Sequence, residues 1–339
     1  GVLGNASLRI VEHFANVTVP ILKSRIHDYR VYGKSVNVAC HNHRCFELRC
    51  GPGLSRYHAF VFLYFDVSAE SRGFSACKEE VGGFDFPLTA LVCCLQRMFC
   101  CFGNFQDFFV FENVKGLYRT ARHRQFFEEL KQQFRAHGYS LTEQLVNSLE
   151  FGAAQDRDRI ILIGFHQDAV NRLHLQADNG VLMNFPWEAH KRYNLKEIKN
   201  LPWPNKSPYQ ENTPMLMPNG IIEDLTIQHW WTENDVTHHP NANMYFQPRA
   251  GIVRFRTKEE GDVEKKCYKR LHRWRYSPTA AYGNNEVHIH PFLPRRISVA
   301  ESLAIQSLPA NFILPQDVSL TDAFKTVGNG VPFVLANGI

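Results

Sequence analysis

The chain has no apolar run approaching the roughly 18 residues that cross a bilayer; its longest lies near Ala59–Phe65. A membrane-spanning helix is therefore not expected, and no leader with a cleavage site is evident. Internal repeats and low-complexity tracts are missing too, which sets aside solenoids, propellers and arrays. Beyond residue 102 cysteine is nearly absent: Cys267 stands alone, and the other eight are Cys40, Cys45, Cys50, Cys77, Cys93, Cys94, Cys100 and Cys101. An odd total with adjacent pairs is not a disulfide framework, and a reducing cytosol is expected. The run CHNHRCFELRC at 40–50 lacks a C-x-x-C pair and a second half-site, so no metal site is expected. The first residue is Gly1 rather than Met and the last residues are LANGI, as in a fragment of a longer reading frame.

What is present is a core-forming chain of 339 residues, 44% hydrophobic, with a net charge of +5. That length fits one large domain with a smaller one, or two domains. The mild basic bias permits a nucleic-acid partner without requiring one. FFVFE at 108–112 and RIILIGF at 159–165 read as buried strands, and Tyr139–Leu149 as extended. Between them Arg122–His137 reads as an amphipathic helix with Phe126, Phe127, Leu130 and Phe134 on one face and Gly138 as its C-cap. Strand, helix, strand, strand with buried apolar runs predicts an α/β sheet covered on both faces.

The texture changes near Phe185. Residues 186–294 hold 11 of the 17 prolines and all five tryptophans, which predicts an irregular, loop-rich domain. Its later half carries ten Lys or Arg between 249 and 275, with Tyr268, Trp274 and Tyr276 interleaved. A solvated basic face is one reading of this stretch; phosphate contact favoured by counterion release is the other. Regular structure returns at Ser298, where Ser298 and Glu301 form an S-x-x-E capping box that predicts a helix over Val299–Ser307, ended by Pro309.

Several of these stretches together resemble the cytosine-C5 DNA methyltransferase family. They are FENV at 111–114, QDRDR at 155–159, RRISVAESLAIQSLPANF at 295–312 and VGNGVPF at 327–333. The reaction explains the residue types. Carbon 5 of cytosine is a poor nucleophile, so a cysteine thiolate adds to C6 while an acid engages N3. A stacked base is out of reach and must be flipped into a pocket. The resemblance implies that Glu112 contacts N3 and that Arg157 and Arg159 contact the cytosine and a neighbouring phosphate, or hold the Glu. It implies that Arg296, Glu301 and Gln306 hold the recognition domain against the catalytic one, and that Asn329 and Val331 border the methionine end of S-adenosylmethionine.

The first 105 residues depart from the family's pattern. LRIVEHFANVTVP at 8–20 stands where F-x-G-x-G is expected: Phe14 and Ala15 match, but Asn16, Thr18 and Val19 occupy the glycine region. Glycine there allows close backbone approach and positive φ. There is no Pro-Cys dipeptide anywhere, and the best positional match to the nucleophile motif is ESRGFS at 70–75, about 40 residues before Glu112. It aligns Ser71 with the expected Cys, and a hydroxyl is a far weaker nucleophile than a thiol. Divergence to an inactive homologue, partial translation in another frame, and use of a different cysteine such as Cys77 all remain open.

The resemblance therefore implies a mostly parallel, Rossmann-like sheet of the S-adenosylmethionine-dependent methyltransferase type. Residues 1–185 plus 296–339 would form the catalytic and cofactor domain, with 186–295 a smaller irregular DNA-recognition domain. Phe14, Asn16, Asn329 and Val331 would bind the cofactor; Lys265, Lys266, Lys269, Arg270 and Arg273 would bind DNA. The expected activity is methylation of C5 of a flipped cytosine in duplex DNA, as in bacterial restriction–modification. The chain would act as a monomer in the bacterial cytoplasm, associated with the nucleoid. The alternatives are an inactive DNA-binding homologue and a tRNA cytosine methyltransferase.

Overall fold

The computed structural model describes residues 61–64, 107–248, 252–265, 267–279 and 288–339. Two compact units divide them: one takes 61–64, 107–146 and 158–186, the other 147–157 together with the described residues from 187 to 339.

The first unit is built on a six-stranded sheet in the order β1-β2-β5-β3-β7-β6. Its strands are β1 (Val61–Tyr64), β2 (Phe108–Val114), β3 (Tyr139–Asn147), β5 (Asp158–His166), β6 (Ala177–Asp178) and β7 (Val181–Leu182). β1 runs parallel to β2, with Val61 opposite Phe109, and β3 parallel to β7. The longest pairing, β2 with β5, is antiparallel over seven residues from Phe108↔Phe165 to Val114↔Arg159, and β6 with β7 is antiparallel as well. The expectation of a mostly parallel sheet is thus corrected to a mixed one. Buried apolar strands suit either direction, so the composition of FFVFE and RIILIGF carried no information on polarity.

The predicted helix is α1 (Ala121–Ala136). Its apolar stripe is buried as the spacing requires: Phe127 is fully covered, with Leu130 and Phe134 nearly so. They close over Phe109, Phe111, Tyr139, Leu141, Ile160 and Leu162 of the sheet. The Phe109 and Phe134 rings stack at 4.1 Å. Each buried side chain of this size contributes roughly 2 kcal/mol. Beyond the helix Gly138 takes φ +84°, a left-handed value that glycine adopts without strain, and a Cβ there would come within 3.1 Å of the His166 ring.

In the second unit a short bracket, 147–157, is knitted into the later chain. Gln155–Asp156 (β4) pairs in parallel with Ser277–Pro278 (β9). Leu149 packs with Ile198, Trp203 and Leu225. Lys269–Arg270 (β8) pairs with His288–Ile289 (β10). The unit's main core gathers Ile227 and Trp231 of α2 (Ile227–Glu233), Leu303 of α4 (Val299–Ile305) and Phe324 of α5 (Leu320–Asn329). A short α6 (Phe333–Asn337) follows, and between α2 and α4 lies α3 (Ile252–Thr257). The capping box of α4 is present in full: Ser298 Oγ accepts from the Glu301 N–H, and Glu301 Oε2 accepts from the Ser298 N–H at 2.7 Å. The helix stops at Ile305, before Pro309, because Ser307 turns the chain with φ +55°.

Candidate functional site

Glu112 lies on β2 and Arg159 on the antiparallel β5. Glu112 faces Ile161 and Arg159 faces Val114, so the two side chains are diagonal neighbours on one face of the sheet. Arg159 Nε stands 2.5 Å from Glu112 Oε1. Glu112 is wholly buried and Arg159 is 6% exposed. A carboxylate buried so far costs several kcal/mol unless a cation meets it. Arg159 of QDRDR thus supplies the counter-charge for Glu112 of FENV. Arg159 Nη1 also donates to the Asp158 carbonyl at 2.8 Å, and the Asp158 carboxylate pairs with Lys115 at 2.6 Å.

Gln155 and Arg157 face the C-terminal helices. Arg157 is 1% exposed and donates to the Gly328 carbonyl at 2.8 Å and to Gln155 Oε1 at 3.3 Å. Gln155 Nε2 donates to the Ile305 carbonyl and to Gln306 Oε1, and Gln306 Nε2 donates to the Val327 carbonyl at 2.7 Å. In this structure the Arg157 guanidinium is turned to the end of α5 and to Gln155, and Gln155 in turn reaches the end of α4, so that the pair braces the two helix ends. Gln306 belongs to the same brace.

Of the residues expected at the cofactor, Asn329 closes α5 with its side chain exposed, and Val331 follows, 9% exposed. The Phe333 N–H donates to the Gln306 carbonyl, which fixes the course of the chain after Val331. An exposed amide can hydrogen-bond the ammonium or carboxylate of a methionine moiety, which is the chemistry Asn329 offers to such a group. Phe14, Asn16 and Ser71 lie outside the described residues, as do Cys77 and Lys266.

The basic segment separates into exposed and buried cations. Lys265 is exposed and Lys269 half-buried. Arg270 is fully buried; it donates to the carbonyls of Lys258 (2.8 Å), His290 (2.5 Å), Pro291 and Leu293 (3.3 Å each), and through a short bond to that of Phe255. Burial pulls its guanidinium down to about 10, still protonated at neutral pH. Arg273 is 5% exposed and grips both oxygens of Glu260, at 2.9 and 2.8 Å, and the Thr213 carbonyl at 2.7 Å. Burial raises Glu260, but its bonds to Arg273 outweigh that and hold it below the usual carboxylate range. Both guanidiniums, expected at DNA, are thus turned to acceptors within the protein. A count of basic residues does not reveal which of them satisfy carbonyls inside a loop-rich fold, and Glu260 gave no signal in the sequence.

A second buried charge cluster surrounds α4. Arg295 donates to both oxygens of Glu301, at 2.9 and 2.6 Å, and His290 Nε2 lies 3.4 Å away. Burial pushes Glu301 up, yet His290 and Arg295 bring it down to about 2. Among the described residues no group of three His, Cys, Asp or Glu could hold a metal, and no helix is long and apolar enough to cross a membrane.

Comparison with known proteins identifies the family. The C-5 cytosine-specific DNA methylase family matches residues 104–339. The Type II methyltransferase M.NmeDI of Neisseria meningitidis serogroup C is 55% identical over 236 residues, covering 70% of this chain and 53% of that protein. M.FnuDI of Fusobacterium nucleatum is 26% identical over 68% of this chain and 62% of its own length. The chain thus spans between half and two thirds of the length of these relatives. The S. pombe Dnmt2 methyltransferase structure is 11% identical, with a TM-score of 0.44 over 82% of this chain and 76% of its own. The early motifs sought at 8–20 and 70–75 precede the matched region, whereas Glu112, the QDRDR turn, α4 and α5 all fall within it, and the chain belongs to the C-5 cytosine-specific DNA methylase family.

Proposed function

We propose that this chain carries out its family's reaction, methylation of C5 of a flipped cytosine in duplex DNA, at a short target of the restriction–modification kind. The carrying observation is the buried Glu112–Arg159 pair at the sheet. In this reading the Glu112 carboxyl meets N3 of the flipped base, and Arg159 orients that carboxyl while its remaining donors face the base carbonyl. A carboxyl fixed in place in low dielectric supports a role at N3: thiolate addition to C6 moves electron density onto the ring, and a proton supplied at N3 takes up that charge. Asn329 and Val331 would hold S-adenosylmethionine, which supplies the methyl group when bound. Phe14 and Asn16 would form the other wall. Residues 186–295 would serve as the target-recognition segment and 1–185 with 296–339 as the catalytic part. The protein would work as a monomer in the bacterial cytoplasm.

The nucleophile decides between this reading and a second one. Among the described residues the cysteine is Cys267, exposed in the basic segment. The thiolate for C6 would therefore come from the eight cysteines before residue 102, none of which follows a proline. If Ser71 holds that position, the chain binds DNA without methyl transfer. Duplex DNA containing 5-fluorocytosine, incubated with S-adenosylmethionine, tests both. A covalent adduct, mapped by peptide mass to a cysteine such as Cys77, supports the enzyme. A gel shift without an adduct supports the inactive DNA-binding homologue, and methylation of tRNA alone would overturn both.

A further inference from the structure

The buried Arg270 acts on α3. Two of the carbonyls it satisfies, those of Phe255 and Lys258, belong to the end of that helix, and the others belong to the 290–293 turn. Phe255, 3% exposed, pins the helix from below against Ile289 and Tyr268. A six-residue helix has little intrinsic stability, so this clamp is what keeps α3 formed. It holds outward a face that would otherwise be unfavourable in water. Val253 is 66% exposed, Ile252 38%, and Arg254 and Arg256 are both exposed. Among the described residues neither arginine makes an ion pair, although Glu259 stands exposed just past the helix.

A second observation points to the same face. Tyr268 takes φ +57°, a left-handed value that costs a bulky residue of order 1–3 kcal/mol. That conformation sets its ring edge-on to Phe255 and beneath Arg254, whose guanidinium lies 5.4 Å from the ring centre. A strained tyrosine is thus used to orient an exposed arginine. A pre-oriented Arg254 and an exposed Arg256, with apolar Val253 between them on the helix surface, match the major-groove edge of a base pair: the guanidinium fork fits guanine O6 and N7, and an aliphatic side chain fits the thymine methyl. The helix is ~9 Å long, enough for two or three base pairs.

We infer that α3 is a base-reading element, with Arg254 and Arg256 as guanine contacts and Val253 beside them as an apolar contact. The inference rests on the reading of the chain as a duplex-DNA binder. The test is selection from a duplex pool with a randomised centre, using the whole chain and its Arg254→Ala, Arg256→Ala and Arg256→Lys variants. Tryptophan-fluorescence melting checks the fold of each variant. The unaltered chain should enrich one motif. Each Arg→Ala variant should lose preference at one G·C position by about 5- to 150-fold, the range expected of one bidentate contact. Arg256→Lys, which keeps the charge, should lose it too. Lys265→Ala should weaken binding to all sequences alike. An unchanged motif in the arginine variants would sink the inference. So would a uniform loss of affinity with a shallower salt slope, which would make α3 a phosphate contact. Failure of the unaltered chain to enrich any duplex would instead overturn the DNA-binding reading itself.

Discussion

Replacing Arg270 by alanine separates a structural arginine from a DNA-binding one. The side chain is fully buried and donates to five carbonyls drawn from the end of α3 and the 290–293 turn. A hydrogen bond from a charged donor contributes ~1.5–3 kcal/mol singly, and buried acceptors left without a donor each cost ~1–3 kcal/mol. These terms do not add, because water enters part of the vacated space. With a few of these carbonyls left without a donor, the expected effect is ~3–5 kcal/mol. Against a typical total of ~5–15 kcal/mol that is a large loss. Lysine at this position, a point charge with three donors, should recover less than half of it. Lys265→Ala, on an exposed side chain, should stay within ~0.5 kcal/mol. Urea unfolding followed by tryptophan fluorescence is well placed to measure this, because Trp187, Trp203, Trp230, Trp231 and Trp274 all lie in the compact unit that holds Arg270. An Arg270→Ala midpoint matching that of Lys265→Ala would refute the argument, most clearly if DNA affinity fell at the same time.

Arg159→Ala should destabilise the first unit by ~3–5 kcal/mol by leaving the Glu112 carboxylate buried without its cation, whereas Glu112→Gln combined with Arg159→Met should cost clearly less; equal urea midpoints for the two would refute this. Burial depresses His272 to about 4 and His288 to about 3, while an unfolded histidine titrates near ~6.5. The unfolded chain therefore binds more protons below ~6.5, so stability should be full above that pH and fall as pH drops toward 4. His272→Gln should make the fall shallower while His288 keeps part of it, and a level profile in the unaltered chain would count against buried neutral histidines. Gly164→Ala should destabilise by ~1–3 kcal/mol, because its new Cβ would lie only 2.2 Å from the Phe109 ring; a neutral thermal shift would contradict that packing. Asn329→Ala should weaken S-adenosylmethionine binding in calorimetry without altering the melting temperature, and unchanged affinity would remove Asn329 from the cofactor site.

Much of the site was legible because it depends on short-range order in the chain. FENV and QDRDR each announce a strand end with a charge, and the antiparallel register brings Glu112 and Arg159 together. The S-x-x-E box at 298–301 is a local motif and formed as local chemistry dictates. What was not legible depends on distant partners. Arg157 and Arg159 are two residues apart with similar surroundings in sequence, yet one meets Gly328 and the other Glu112. Arg270 and Lys265 look alike in a basic run, and only the carbonyls around Arg270 set it apart. Pro309 looked like the stop of α4, but a backbone turn at Ser307, a residue without a strong left-handed preference, came first. Strand polarity was hidden for a similar reason: β5 lies between β2 and β3, an order that no local pattern encodes.

The brace at Gln155 and Arg157 has a consequence for biosynthesis. Their acceptors lie 150 to 171 positions further along the chain. At ~5–20 residues per second, a ribosome needs on the order of ten to thirty seconds to deliver Gly328 after Arg157 has emerged. During that interval Leu149 can already pack with Ile198, Trp203 and Leu225 and β4 can pair with β9, but the Arg157 guanidinium still lacks the Gly328 carbonyl and must stay in water. The C-terminal helices therefore act as the closing step of assembly. A premature stop before Gly328 would remove more than a few terminal residues: it would strand an earlier segment, polar and half-wrapped, as a target for chaperones and proteases.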